Sequence, residues 1–236
     1  MRDADRGWAR TAIGAERRLL AVLRGCGRRP AVATAARALS FAGEHGALWL
    51  AAGLTGAAVD TERRSDWLRG TAVVGAAHLA SMGLKRVVRR PRPDAERYAP
   101  LVRTAGRHSF PSSHATSAAA AAVALGALRP PVRRLLVPAA AAMCLSRLVV
   151  GVHHPTDVVA GVLLGAVTAT AGHRRPGGAR AVTAPRAPAA RVLHARVASG
   201  AVLRLVPALR VPRRRPGSEV AGPGRGSVSP LSRRTP

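Results

Sequence analysis

Three short groups of polar residues, each beside an apolar segment, contain side chains that could bind and transfer a phosphoryl group. The first group is a basic run that contains Lys85 and Arg92 and ends at Pro93. A run of this kind, taken alone, is usually a juxtamembrane cluster that contacts anionic lipid head groups. A chemical interpretation therefore depends on the two other groups.

The second group covers residues 110–114 and directly precedes an Ala-rich segment. Ser112 and Ser113 at such a position are commonly no more than helix N-caps. The start of a helix would, however, also point backbone N–H groups at a bound anion. His114, one position further on, could exchange a proton with a reacting group.

The third group consists of Ser146 and Arg147, followed after five residues by His153 and after three more by Asp157. Taken alone, this Asp would be a loop residue that caps the next helix. Combined with the first two groups, the pattern offers fixed positive charge for a phosphate and two histidines, one to attack and one to protonate. The combination predicts a phosphate pocket that works without a metal.

The three groups resemble the signature of the type 2 phosphatidic acid phosphatase (PAP2) superfamily. That signature reads K-x6-R-P, then P-S-x-H, then S-R-x5-H-x3-D, and its ten specified positions are matched in order between Lys85 and Asp157. Ser113 stands where the family most often has glycine. A small side chain is compatible with this position if only its backbone N–H is used.

The resemblance implies a role for each matched residue. His153 would attack phosphorus and form a phosphohistidine, Asp157 would hold its imidazole in the productive tautomer, and His114 would protonate the leaving alkoxide. In the doublet with His154, only His153 has the family spacing. No cofactor is implied. The phosphoryl oxygens would be bound by Lys85, Arg92, Ser112, Ser113 and Arg147.

The resemblance also implies a lipid-linked substrate, which the spacing does not choose. Members of the family act on phosphatidate, phosphatidylglycerol phosphate, polyprenyl pyrophosphates and phosphorylated lipid-linked sugars. The compact chain and its segment 41–46 resemble short actinobacterial members, some of which are linked to dephosphorylating decaprenylphosphoryl ribose phosphate for the cell wall. Glu44 and His45 interrupt this otherwise apolar segment, so they either contact the substrate head group or lie at a helix end in the membrane interface.

Other functions remain open at this point. The superfamily includes vanadium-dependent haloperoxidases, and a soluble acid phosphatase would carry the same motifs. The net charge of +27 also suits a basic protein with an inactive site that binds lipid or nucleic acid. Only 3% of the residues are aromatic, so base-stacking platforms are scarce and we expect no nucleic-acid partner.

The elements that must position the three groups are hydrophobic helices. The apolar segments lack a polar stripe, which favours a membrane-embedded all-α bundle, and their Ala and Gly content suits close helix packing. Several are shorter than the ~20 residues of a simple span, so a soluble helical core stays an alternative. Five such helices are predicted, at 31–59, 67–84, 115–128, 135–152 and 158–172.

The domain organisation follows from the composition of the flanks. Residues 1–30 are basic and form either an interfacial amphipathic helix or a disordered leader. Residues 31–173 are predicted to form the phosphatase domain. Residues 174–236 are rich in Arg, Pro and Gly, which predicts a disordered tail, with a short basic surface helix near 192–209 as the alternative. Cys26 and Cys144 are predicted to be inert thiols.

The order of helices and motifs predicts a topology. All three motifs fall at one membrane face, and the tail emerges at the other. The chain is predicted to be a multi-pass protein of the cell membrane. If the arginines of the tail keep it in the cytoplasm, the pocket faces outward. The expected partners are a lipid or polyprenyl phosphate and the membrane lipids; the sequence predicts no oligomeric state.

Overall fold

The computed structural model describes residues 3–94, 99–104 and 106–173, and the regular structure in these ranges is helical. One isolated bridge pairs Pro91 with His108. The all-helical class is therefore confirmed for the described residues. The α-helices are α1 (Asp3–Cys26), α2 (Pro30–Ala42), α3 (Ala47–Val59), α4 (Arg64–Val88), α5 (Ser113–Ala124), α6 (Pro130–Val149) and α7 (Pro155–His173).

Helix α5 lies at the centre of the bundle and packs against α4, α6 and α7. Its contact with α7 is close because α7 has glycines where it crosses the α5 backbone. A methyl group added at Gly165 would lie 2.2 Å from the carbonyl oxygen of Thr116, and one added at Gly161 would lie 2.6 Å from that of Ser112. The small residues thus hold the start of α5 directly against the start of α7.

The first apolar segment is broken where the sequence predicted one helix over 31–59. Helix α2 ends at Ala42, a 3₁₀ turn covers Glu44–Gly46, and α3 begins at Ala47. His45 and Gly46 have φ angles of 53° and 76°. Residues in this left-handed region cannot continue a right-handed helix. The expectation of a continuous first helix is therefore corrected to two short helices joined by a tight turn.

Only part of the bundle meets a simple criterion for crossing a membrane. Among the described residues, one stretch, Pro155–Gly172 of α7, is long and apolar enough to span, with a mean hydropathy of 1.3 over 18 residues. Helices α2 and α3 have 13 residues each. At a rise of 1.5 Å per residue, each is roughly 20 Å long, against a hydrocarbon core of about 30 Å. The number of spanning helices thus remains a prediction.

The N-terminal segment forms a helix over its described residues, Asp3–Cys26. Leu20 of α1 is buried, whereas Ile13, Leu19 and Val22 are exposed. Helix α1 packs on α6 and α7, and Arg24 donates hydrogen bonds to the carbonyl oxygens of Val149 and Ala99. The exposed apolar residues suit a membrane surface, which stays a prediction. The expected tail, 174–236, lies outside the described residues.

The two ends of the bundle differ in what they contain. Helix α4 ends, α5 begins, α6 ends and α7 begins at one end, called here the motif end. The turns after α3 and α5 meet at the other end, where Asp60 forms a salt bridge of 2.8 Å with Arg129. The bundle therefore gathers the three sequence motifs at the motif end.

Candidate active site

A cavity of about 390 Å³ opens at the motif end. Its wall also contains Glu44 and His45 from the turn between α2 and α3, and His78 from α4. Ser112 and Asp157 lie behind the wall and are fully buried. Six of the eight site residues predicted from the sequence line the cavity: Lys85, Arg92, Ser113, His114, Arg147 and His153.

The imidazole of His153 is buried beside the carboxylate of Asp157. Its Nδ1 lies 3.6 Å from Oδ2 of Asp157, slightly beyond hydrogen-bond distance, and has no hydrogen-bond partner. Hydrogen bonds of this kind often shorten when the substrate binds. Burial lowers the pKa of His153 to about 3, although the adjacent Asp157 opposes this effect. The ring is therefore neutral at pH 7, as a nitrogen nucleophile must be.

The carboxylate of Asp157 is fixed by two further donors. Its Oδ1 accepts a hydrogen bond of 2.8 Å from Arg90 Nη1, and its Oδ2 accepts one of 2.8 Å from the backbone N–H of His154. The same carboxylate oxygen, Oδ2, faces His153. Asp157 is therefore held in the orientation that a group directing the His153 tautomer needs.

His114 stands at the first turn of α5 and faces α2. Its Nε2 lies 3.0 Å from the carbonyl oxygen of Ser40. A carbonyl can only accept, so Nε2 carries a proton and, in the neutral ring, Nδ1 is free to receive one. Burial, followed by the charge of Arg147, lowers the pKa of His114 to about 3. A methyl group added at Gly43 would lie 2.8 Å from the His114 ring, so this close approach requires glycine.

Lys85 follows the apolar stretch of α4 and points into the cavity. Its Nζ donates hydrogen bonds to the carbonyl oxygens of Pro111, at 2.7 Å, and Ser109, at 3.2 Å. Burial, followed by the charge of Arg92, lowers the pKa of Lys85 to about 8. The ammonium group therefore links the end of α4 to the loop before α5 and remains largely charged at neutral pH.

Two arginines complete the positive wall. Arg92 donates to the carbonyl oxygens of Val152, at 2.7 Å, and Gly106, at 2.9 Å. Arg147 is 2% exposed and donates from Nη1 to Ser40 Oγ at 2.5 Å, while its Nε is buried without a hydrogen-bond partner. Guanidinium groups held in this way retain N–H donors for the oxygens of a phosphoryl group.

The start of α5 adds backbone donors to the same wall. Ser112 is the N-cap, and its hydroxyl accepts a hydrogen bond from the N–H of Ala115. The Ser112 N–H donates to the carbonyl oxygen of Asp157 at 2.9 Å. The first N–H groups of a helix have no partner within the helix, and those of α5 begin at Ser113, which lines the cavity. This helix start can therefore hold an anion.

Three residues of the site were missed by the sequence analysis. Ser40 contacts both His114 and Arg147 from α2. Arg90 contacts Asp157, and Glu16 of α1 contacts Arg90 at 3.1 Å. Arg90 belongs to a run with several arginines, and spacing alone does not say which of them turns inward.

Comparisons with known proteins give this site a family. The model of the PAP2 superfamily matches residues 67–180. Decaprenylphosphoryl-5-phosphoribose phosphatase of Mycolicibacterium smegmatis is 48% identical over 162 residues, which cover 68% of this chain and 84% of that protein. The chain belongs to the PAP2 superfamily. The resemblance inferred from the motifs is thereby confirmed.

Further PAP2 relatives differ in their substrates. The protein of the same name from Mycobacterium tuberculosis H37Rv is 46% identical over 58% of this chain and 77% of its own length. Lipid A 1-phosphatase of Rhizobium etli is 36% identical over 40% of this chain and 43% of its own. A transmembrane PAP2 type phosphatidylglycerolphosphate phosphatase from Bacillus subtilis, solved by crystallography, is 25% identical with a TM-score of 0.47, covering 68% of this chain and 93% of that one.

Membership decides the class of the protein. The expectation of a phosphoric ester hydrolase of the PAP2 type is confirmed.

Proposed function

We propose that this PAP2 phosphatase removes the terminal phosphate of a polyprenyl-linked phosphosugar, with His153 as the nucleophile. The observation that supports it is the meeting of His153, His114 and three cationic side chains at one cavity. In phosphoryl transfer, a protein contributes mainly positioning and stabilisation of the charge on the equatorial oxygens. A cationic cavity with a buried neutral imidazole supplies both.

In the first step, His153 Nε2 attacks phosphorus while its Nδ1–H faces Asp157. The P–O bond to the sugar breaks, and its electron pair moves to the leaving oxygen, which takes a proton from His114. The neutral form of His114 is favoured by burial, and an anionic phosphoryl group nearby favours its protonated form. The product is a phosphohistidine whose positive ring is stabilised by Asp157.

In the second step, a water molecule replaces the released alcohol. Neutral His114 takes a proton from the water, whose oxygen attacks phosphorus. The P–N bond breaks, its electron pair returns to His153 Nε2, and inorganic phosphate leaves. Lys85, Arg92 and Arg147 hold the phosphoryl oxygens through both steps, and the cycle consumes no cofactor.

The similarity to decaprenylphosphoryl-5-phosphoribose phosphatases supports a phosphoribose lipid as the substrate. The cavity falls within the ~300–1,000 Å³ of small-molecule sites. Beyond the phosphate-binding wall it contains Glu44 and His45, whose polar groups can bond to sugar hydroxyls. Arg103 and Arg107 also line it and can contact a second phosphate in the lipid linkage.

The test is phosphate release by detergent-purified protein from phosphatidate, a prenyl pyrophosphate and a polyprenyl phosphoribose phosphate. We expect release from the phosphoribose lipid by wild type and no release by His153→Ala. His154→Ala is the matched control, because it removes the neighbouring imidazole and keeps the backbone N–H that binds Asp157. Activity in H153A, or equal loss in both variants, would contradict His153 as nucleophile.

The same panel tests the sugar contacts. Glu44→Ala and His45→Ala should raise KM for the phosphoribose lipid more than for phosphatidate, which lacks the sugar. If both variants turn over every lipid like wild type, these two residues do not contact the head group. Release from a different lipid alone would keep the mechanism and reject the proposed substrate.

A further inference from the structure

A chain of buried charges connects the N-terminal helix to the proposed nucleophile. Glu16 of α1 pairs with Arg90 Nη2 at 3.1 Å, and Arg90 Nη1 pairs with Asp157 at 2.8 Å. Asp157 in turn faces His153. The side chains of Glu16, Arg90 and Asp157 are 13%, 7% and 0% exposed, respectively. Four residues from three separate parts of the sequence thus form one continuous path.

Two hydrogen bonds from Thr156 hold the same carboxylate of Glu16 at the start of α7. Oε1 of Glu16 accepts hydrogen bonds from the Thr156 backbone N–H, at 3.0 Å, and from its hydroxyl, at 2.5 Å. Oε2 is the oxygen that binds Arg90. The two oxygens of Glu16 therefore have separate partners. Oε1 binds Thr156, which precedes Asp157 in the sequence, and Oε2 binds the guanidinium group of Arg90.

A stabilising ion pair alone is a weak explanation of this arrangement. Removing charges from water is costly, and buried ion pairs contribute little net stability compared with apolar residues of similar size. These charges also affect the imidazole of His153, because the last of them, on Asp157, lies beside it. Charge acts strongly at such close range through an interior of low dielectric constant.

We propose that Glu16 and Arg90 are positioning residues that set the charge and orientation of Asp157, so that docking of α1 completes the active site. This inference rests on the proposed role of His153. With Glu16 present, the group Glu16, Arg90 and Asp157 carries one net negative charge opposite the ring. Without the charge of Glu16, the group is neutral overall, and Asp157 is the one carboxylate that still pairs with Arg90.

The consequence falls on the step that makes His153 positive. Phosphohistidine formation creates a cationic ring, whereas binding of the lipid does not change the charge of His153. A weaker negative potential at His153 therefore raises the barrier to chemistry, and it does not weaken binding of the anionic phosphoryl group. The expected signature is a lower kcat without a rise in KM.

The decisive variant is Glu16→Gln, which keeps an oxygen acceptor for Thr156 and removes the charge. Its control is Glu62→Gln, the same change in the exposed turn at the other end of the bundle. We expect E16Q to lose about tenfold in kcat per folded molecule relative to E62Q, as is typical when a group that orients a catalytic side chain is altered, without a rise in KM. Its unfolding temperature should also fall, because buried Arg90 loses the charge of one partner. Equal kcat values for the two variants would overturn the proposal.

A purely structural role makes a different prediction. In that case E16Q lowers the unfolding temperature, and kcat per folded molecule, counted by size-exclusion chromatography, equals that of E62Q. The double variant E16Q/R90Q adds a second criterion, since Glu16 is inferred to act through Arg90. Its kcat should match that of Arg90→Gln alone, whereas multiplied losses would contradict the shared path.

The proposal and the proposed function fail in distinguishable ways. Full activity of H153A removes the nucleophile on which both depend, whatever E16Q does. If H153A is inactive and E16Q has the same kcat as E62Q, His153 remains the nucleophile. The proposed role of Glu16 and Arg90 is then rejected. If R90Q does not fold, the comparison of E16Q with E62Q still decides the question.

Discussion

Lys85 joins charge, burial and backbone contacts at a single residue. Its pKa is lowered to about 8, chiefly by burial and then by Arg92, so it loses its proton in a range where an exposed lysine remains charged. The proposed role of Lys85 requires the ammonium form. We therefore predict that kcat/KM of the free enzyme falls as pH rises through about 8.

Lys85→Arg tests the assignment of this alkaline limb. A guanidinium group stays protonated across this range, so the limb should move to higher pH even if the larger side chain lowers the maximum rate. The measurement is kcat/KM for one lipid between pH 6 and 10. The bound anionic substrate favours the charged form of Lys85, so kcat should begin to fall at a higher pH than kcat/KM does. An unchanged limb in K85R would show that another group titrates.

At the scale of single residues, the sequence predicted the residues of the motifs but not the residues that hold them in place. Fixed spacing identified six residues that line the cavity, because each motif is local and lies at a helix boundary. The pairing of Glu16 with Arg90 joins residues 74 positions apart, and it depends on how α1 docks. In the sequence, Glu16 is directly followed by two arginines, and such alternation of charge is also typical of a solvated helix face.

At the scale of elements, the interface between α5 and α7 positions the site. Gly165→Ala would place a methyl group 2.2 Å from a backbone oxygen of α5, which no side-chain rotation relieves. We predict a loss of about 1–3 kcal/mol in the free energy of unfolding, measured by thermal unfolding in detergent. Gly75→Ala is the control, since a methyl group there meets nothing within 4 Å. Equal stability of the two variants would contradict this close packing.

The helices themselves were predictable from apolar runs, whereas the break in the first one was not. Hydropathy records which residues avoid water and is silent about backbone angles. The signal available in 41–46 was a pair of glycines, Gly43 and Gly46, flanking two ionisable residues. The structure gives the break a use, because the turn brings Glu44 and His45 to the cavity wall.

At the scale of the whole molecule, the remaining prediction concerns orientation. Helix α7 begins beside the cavity, and its last described residue, His173, lies at the opposite end of the bundle, where the sequence continues with the segment from Arg174. That segment is rich in arginine, and basic segments that follow membrane helices favour the cytoplasmic side. We predict that the active site faces outward and that a reporter fused after Arg174 reads as cytoplasmic.

Labelling of single cysteines in intact cells provides a matched test of this orientation. In a background of Cys26→Ala and Cys144→Ala, Thr104→Cys places a thiol at the cavity mouth, and Glu62→Cys places one at the opposite end; both positions are exposed. A membrane-impermeant maleimide should label T104C before lysis and E62C only after it. The reverse pattern would place the cavity in the cytoplasm, where it would meet only lipid phosphates of the inner leaflet.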